Sequence, residues 1–138
     1  MANTFCVGTL NVRGLNNKLK RRALFNYLRR HKVDIACLQE TFIKFETIHD
    51  ITREWRGQVF HRHGTSRSNS LLILIGTKLM NEETELVKET DCILIIKITI
   101  DNVVHTVVNC YAPYTTIEKI NFLHQLQEEL QDLSLIHI

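Results

Sequence analysis

The chain has one proline and five glycines in 138 residues, so flexible linkers and collagen-like or low-complexity architectures are excluded. No apolar run approaches the roughly 20 residues that a membrane-spanning helix needs. The start, Met1-Ala2-Asn3-Thr4, runs directly into a strand-like segment and leaves no room for a signal peptide. An intracellular protein is the expectation. None of the four cysteines (Cys6, Cys37, Cys92, Cys110) stands in a Cys-x-x-Cys pair. They sit in or beside apolar runs, so buried reduced thiols are expected rather than a zinc site or a disulfide framework. Glycine-rich phosphate loops and the Gly-x-Ser-x-Gly nucleophile elbow are also missing.

Negative charge is absent from the first 33 residues, while Arg13, Lys18, Lys20, Arg21, Arg22, Arg29, Arg30 and Lys32 all fall there. Such a block reads either as a solvated helix face or as the electrostatic footprint of a polyanion. The whole-chain formal charge is only +2.

The apolar content, 44%, is that of an ordinary globular domain. Phe5 to Leu10 predicts a strand, Leu19 to His31 an amphipathic helix, and Val33 to Leu38 a second strand with nearly continuous apolar residues. On the helix, Leu19, Ala23, Leu24, Tyr27 and Leu28 form the expected apolar stripe, with Lys20, Arg21, Arg22, Arg29 and Arg30 elsewhere. This is a βαβ unit, whose two strands run parallel. A short helix near Ile48 to Trp55, a strand at Gln58 to His63 and a polar loop over 64–70 follow. Leu71 to Ile75 predicts a buried strand, and Glu83 to Glu89 and Cys92 to Ile100 two more. Asp101-Asn102 predicts a tight hairpin with φ > 0, leading into Val103 to Tyr111. Thr115-Thr116-Ile117-Glu118 resembles a capping box opening a last helix, striped by Ile120, Leu123, Leu126, Leu130 and Leu133.

Three polar residues end apolar strands: Asn11, Glu40 and Tyr111. Parallel pairing brings Asn11 and Glu40 out at the same edge, the edge where open α/β sheets bind ligands. One carboxylate and one amide oxygen are a usual protein share for Mg²⁺, which keeps waters and takes substrate phosphate oxygens. Glu40 and Asn11 are therefore the candidate metal residues, with Mn²⁺ an acceptable substitute. Tyr111 is the candidate phosphate contact. Asn109, two residues earlier on the same strand face, would brace the site from behind. His61 and His63 share a strand face but lack a third ligand, and zinc is not expected. The chemistry that suits this set is metal-assisted phosphodiester hydrolysis.

Three blocks carry a family resemblance: Thr9-Leu10-Asn11-Val12-Arg13-Gly14-Leu15-Asn16, Asp34-Ile35-Ala36-Cys37-Leu38-Gln39-Glu40-Thr41, and Val108-Asn109-Cys110-Tyr111-Ala112-Pro113. In order and spacing they resemble the first motif blocks of the endonuclease/exonuclease/phosphatase superfamily. The variant is similar to the apurinic-like endonuclease of non-LTR (long interspersed) retrotransposons. The resemblance implies an α/β fold, a DNase I-like four-layer sandwich of two stacked mixed sheets, here incomplete. It also implies a Mg²⁺-dependent nuclease acting on the DNA phosphate backbone, in the nucleus, as part of a longer retrotransposon polyprotein. By motif, Glu40 would bind the metal, Asn11 support it and Tyr111 contact the scissile phosphate.

Some positions depart from the family pattern. Arg13 stands where repair-type apurinic enzymes carry an acid, Tyr114 where asparagine is frequent, and Ser70 where glycine is usual. Neither a Gly-Asp-x-Asn nor a Ser-Asp-His block occurs. Residues 1–133 are thus expected to be the front part of the domain, and inactive alone. The closing Leu-Ser-Leu-Ile-His-Ile resembles one frame of a sequencing-library adaptor, so a tail at 134–138 that is an assembly artefact is expected. Other phosphodiesterases or phosphatases of the superfamily, and a non-catalytic nucleic-acid-binding remnant, remain alternatives.

Overall fold

A computed structural model describes residues 4–62 and 70–137, with side chains through residue 131. The chain order is β1 (Val7–Asn11), α1 (Lys18–Arg30), β2 (Ile35–Gln39), α2 (Phe45–Glu54), β3 (Gln58–Arg62), β4 (Leu71–Ile75), β5 (Glu83–Glu89), β6 (Ile93–Ile100), β7 (Val103–Cys110) and α3 (Thr116–His137). The first four strands form one sheet in the order β1-β2-β4-β3, and the last three a second sheet in the order β5-β6-β7. His63 and residues 64–69 of the polar loop expected after it fall outside the described residues, as does Ile138 of the expected tail, while Ser70 is described.

β1 and β2 are parallel in the register Val7↔Ile35 to Asn11↔Gln39, while β4 runs antiparallel to both β2 and β3. Burial follows the sheet order. Ile35, Leu38 and all five residues of β4 are at most 1% exposed, as expected for strands covered on both faces. α1 and α2 pack on one face of the first sheet, through Phe25, Leu28, Ile48, Ile51 and Trp55. The other face meets the second sheet through Ile35, Cys37, Ile73, Ile75, Leu94, Ile96 and Ile98. α3 covers the far side of the second sheet with Phe122 and Leu126.

The helix phases differ from the sequence expectation. On α1, Leu19 is 74% and Tyr27 54% exposed, whereas Arg21 is 3% exposed and faces inward with Phe25 and Leu28. Arg21 makes a two-pronged pair with Glu54 (Nε–Oε2 2.9 Å, Nη2–Oε1 2.9 Å) and donates through Nη1 to the carbonyls of Leu15 and Asn16. A guanidinium with its donors satisfied can occupy a core position, and it shifts the packed stripe by about one residue. α3 is out of phase in the same way: Ile120, Leu123 and Leu130 are exposed, and Phe122 packs instead. Its entry is half of the expected box, with Thr115 Oγ1 accepting from the Glu118 N–H at 3.2 Å. The thiols differ in part from expectation: all are free, but only Cys37 is buried, Cys92 and Cys110 are half-buried and Cys6 is exposed.

The hairpin turn behaves as read. Asp101 and Asn102 both have positive φ (51° and 63°) and join β6 to β7 in register from Ile100↔Val103. Gly57 (φ +139°) brings the chain so close to β4 that a Cβ there would lie 1.9 Å from the Ile75 carbonyl oxygen, and no side chain can be accommodated.

The two sheets are joined by more than apolar contact. Asn109 on β7 is 1% exposed and donates from Nδ2 to the carbonyls of Leu38 on β2 and Leu72 on β4, both at 3.0 Å. Its Oδ1 accepts from Gln39 Nε2 at 2.8 Å. Asn109→Ala would leave these buried partners unpaired, and the chain should lose about 3 kcal/mol of unfolding free energy. Urea titration checks this, and a loss under about 1 kcal/mol would show that the amide is not what holds the junction.

Candidate functional site

Parallel pairing of β1 and β2 does at the rim what chain connectivity requires. Asn11 ends β1 opposite Gln39, and Glu40 is the next residue along β2. There the chain turns through a cluster of left-handed residues, Arg13 (φ 50°), Glu40 (φ 53°) and Phe42 (φ 46°). None is glycine, so each costs of order 1 kcal/mol, and the surroundings must hold it. They do so with backbone bonds from Val12 N to Gln39 O (2.9 Å), Gly14 N to Glu40 O (2.6 Å) and Leu15 N to Thr41 O (2.8 Å).

Behind the turn, Ser70 supplies a second anchor. Its hydroxyl makes a very short hydrogen bond with the Thr41 hydroxyl, and Thr41 Oγ1 also reaches the Ser70 carbonyl at 3.1 Å. The Ile43 N–H donates to Ser70 Oγ at 3.3 Å. Both residues are buried. A glycine at this position could make none of the hydroxyl contacts. Sequence reading noted Ser70 only as a departure, because nothing local links it to a residue 29 positions away.

The second sheet delivers the third group. β7 ends at Cys110, and the Tyr111 side chain packs against the inter-sheet core while its hydroxyl donates to Glu40 Oε1 at 2.6 Å. The Tyr114 hydroxyl lies 2.6 Å from that of Tyr111 and 3.1 Å from the same carboxylate oxygen. The Asn11 amide also donates to Glu40, while its Oδ1 accepts from the Arg13 N–H at 3.3 Å. All four candidate residues are therefore close together: Asn11, Glu40 and Tyr111 at the rim, with Asn109 beneath them through Gln39. Tyr114 is an addition that the sequence offered only as an oddity after Ala-Pro.

These contacts set the protonation states. The Tyr111 hydrogen bond first, then that of Asn11, holds the Glu40 carboxyl below the usual carboxylate range, and the Tyr114 bond and the Arg13 charge act the same way. Burial first, and then the bond to Glu40, pushes the Tyr111 phenol well up, so it stays a donor throughout the neutral range. The Cys37 thiol, pushed up to about 11 by burial, is inert.

The rim presents hard oxygen donors only: one carboxylate, one amide and two phenols. No group of three or more His, Cys, Asp or Glu able to hold a metal occurs among the described residues. This set fits a magnesium-like ion that takes one carboxylate and fills its shell with water and phosphate oxygens, and it does not fit zinc. Among the described residues no helix is long and apolar enough to cross a membrane.

The two-sheet α/β architecture with a carboxylate at the strand rim has known relatives, and the chain belongs to the endonuclease/exonuclease/phosphatase family, whose model matches residues 8–133. It is 25% identical over 131 residues to the transposon TX1 uncharacterized 149 kDa protein of Xenopus laevis, covering 92% of this chain and 10% of that protein. Among solved structures it is similar to the endonuclease domain of TRAS1, a telomere-specific non-LTR retrotransposon, with TM-score 0.68 and 20% identity over 90% of this chain and 52% of that one. It is also similar to a humanized D. rerio TDP2 carrying 14 mutations, with TM-score 0.63 and 18% identity over 91% of this chain and 54% of that one. The chain thus spans about half of these solved structures and a tenth of the TX1 protein. The fold is that of DNase I-like endonuclease domains, as the sequence resemblance implied.

Because the folded-state pKa of Glu40 is lowered, its contribution to stability is complete above the unfolded carboxylate value, about 4.3. It is lost as pH falls through the lower folded value. Tyr111→Phe removes the leading cause. A carboxyl-carbon NMR titration should show the Glu40 midpoint rise toward the ordinary range in that variant. An unchanged midpoint would mean that the phenol does not govern the carboxylate.

Proposed function

We propose that this chain is the front portion of a metal-dependent DNA endonuclease domain of the non-LTR retrotransposon type, and that it does not cleave DNA by itself. The observation that carries this reading is the junction of Glu40, Asn11 and Tyr111 at one strand-end rim, contributed by three strands of two sheets. Family membership and the similarity to the TX1 protein and to the TRAS1 endonuclease domain support it.

In this reading Glu40 holds Mg²⁺ (or Mn²⁺), and Asn11 orients the carboxylate. When bound, the ion would polarise the phosphorus centre and offset charge on the leaving oxygen. Tyr111 would stay protonated, and its hydroxyl, which donates to Glu40 here, would be a donor within reach of a phosphate oxygen at the same rim. Tyr114 offers a second phenol beside it. Arg13 adds positive charge at the same turn. Activation of a water nucleophile is not provided for at this rim, because the Gly-Asp-x-Asn and Ser-Asp-His blocks are absent from the 138 residues. Catalytic groups that act as a unit fail together.

The rest of such a domain has somewhere to dock. β1 and β7 are both edge strands, and they are neighbours, since Phe5 beside β1 stacks edge-on against His105 of β7 at 5.0 Å. Val7 and Leu10 on one edge and Val103 and Val104 on the other are exposed. Two long unblocked edges are an association hazard unless covered. In this reading the remainder of the polyprotein covers them.

With Mn²⁺ as a paramagnetic probe, the amide signals of Asn11, Glu40 and Tyr111 should broaden, and Glu40→Ala should abolish the effect. Supercoiled plasmid incubated with this chain and Mg²⁺ should stay intact. Glu40-dependent nicking would overturn the claim of inactivity, and broadening that ignores Glu40→Ala would overturn the metal assignment.

A further inference from the structure

A cavity of about 1090 Å³ opens at the other end of the β1–β2 pair, where those strands begin. Five strand residues separate it from Glu40, about 17 Å of extended chain. Its walls come from the ends of α1 and α2, the segment entering β1 and the turn after β4. Arg29, Lys32, Arg53, Arg56 and Lys78 line it, against Asp34 and Glu54 as the only carboxylates in the lining.

The acids offset this set only in part, because five cations face two carboxylates in the lining. Glu54 is already engaged by Arg21 from within the core. Asp34 accepts from the Cys6 N–H at 2.8 Å and stands 4.0 Å from Lys78 Nζ. Arg53 pairs with Asp50. Arg29 lies over the Trp55 ring, 5.4 Å from its centroid, and donates to the Glu54 carbonyl at 2.9 Å. Lys32 and Arg56 make no side-chain hydrogen bond or ion pair among the described residues. Helix dipoles account for cations in the last turns of α1 and α2, but not for Lys78, which comes from the turn after β4. Lys32 (φ 54°) follows the end of α1 in a left-handed conformation, an uncommon state for a lysine, at the turn into β2.

We infer that this basic cleft is a nucleic-acid site, which holds the sugar–phosphate backbone of a single strand independently of any divalent ion. At about 1090 Å³ the cavity stands at the upper end of the roughly 300–1,000 Å³ typical of small-ligand pockets, and it is open to solvent, so a strand can pass through it. Cations from three separate elements suit a chain of phosphates better than one ion, and the guanidinium planes of Arg53 and Arg56 offer surfaces against which bases can stack. The inference does not rest on the endonuclease reading, since neither Glu40 nor a metal takes part.

The test is fluorescence anisotropy of a labelled single-stranded oligodeoxynucleotide with the 138-residue chain in EDTA, across a salt series. Lys32→Glu/Arg56→Glu should weaken binding at least about tenfold at low salt. It should also reduce the slope of log K against log salt by about 1.4, as expected for two lost phosphate contacts on a single strand. Arg22→Glu/Lys119→Glu, the same charge change on exposed positions outside the cleft, should cost less than about threefold. If the reversed pair fails to fold by circular dichroism, Lys32→Gln/Arg56→Gln should give the same ordering with a smaller loss. Equal losses in both charge-reversed pairs, or no loss in the cleft pair, would overturn the site. Displacement by inorganic phosphate as effective as by unlabelled oligonucleotide would overturn the strand assignment.

Discussion

One buried amide decides where the two sheets meet. Asn109 belongs to the second sheet, yet its hydrogen bonds go to the first: two carbonyls, on β2 and β4, and the side chain of Gln39. Apolar packing between sheets tolerates sliding, because Ile and Leu side chains make similar contacts at neighbouring registers. An amide with its donors and acceptor committed across the gap does not, since a shift of one residue would leave several buried polar groups unpaired. The position of Tyr111 follows from this. It lies two residues beyond Asn109 on the same face, so fixing Asn109 against Leu38 places the phenol over Glu40, two residues beyond Leu38.

The rim is then assembled from conformations that are unfavourable in isolation. Glu40, Arg13 and Phe42 all occupy the left-handed region without being glycine. That cost is tolerated because the backbone of the Glu40 turn is bonded to the turn after β1 on one side and, through Thr41, to Ser70 on the other. Strain is thus concentrated at a carboxylate that also meets the Tyr111 and Tyr114 hydroxyls. The carboxylate is displayed by this scaffold rather than by its own rotamer preference.

What could be read from sequence follows from how locally each feature is encoded. β2 and β4 were legible because continuous apolar runs bounded by polar residues have few other uses. The Asp101-Asn102 hairpin was legible because two residues between β-rich segments require positive φ. The shared rim of Asn11 and Glu40 followed from the βαβ topology alone. The phase of α1 was not legible, since a hydrophobicity count treats Arg21 as exposed, and its Glu54 partner is 33 residues away. α3 was misread for the related reason that leucine spacing cannot say which of two apolar faces meets a sheet. Cys6 precedes β1, an edge strand, so an apolar neighbourhood in sequence did not become burial. Ser70 and Tyr114 act through partners distant in sequence, and no local pattern marks them.

The same topology separates two kinds of charge. In a βαβ unit the helix runs back against its strands, so the end of α1 returns to where β2 begins, while Glu40 sits where β2 ends. Cations near the helix ends, at Arg29, Lys32, Arg53 and Arg56, therefore collect about 17 Å from the carboxylate rim. At physiological ionic strength the Debye length is about 8 Å, so these cations are largely screened from the Glu40 carboxylate. Of the basic block at the start of the chain, Lys20 is spent on the carbonyls of Val12 and Arg13, and Arg21 on Glu54. Arg13 acts on the rim. Arg29 and Lys32 line a different cavity, away from the Glu40 rim. A net charge of +2 conceals this division: an oxygen-lined rim suited to a hard cation at one end of two strands, and a cationic cleft suited to phosphate at the other.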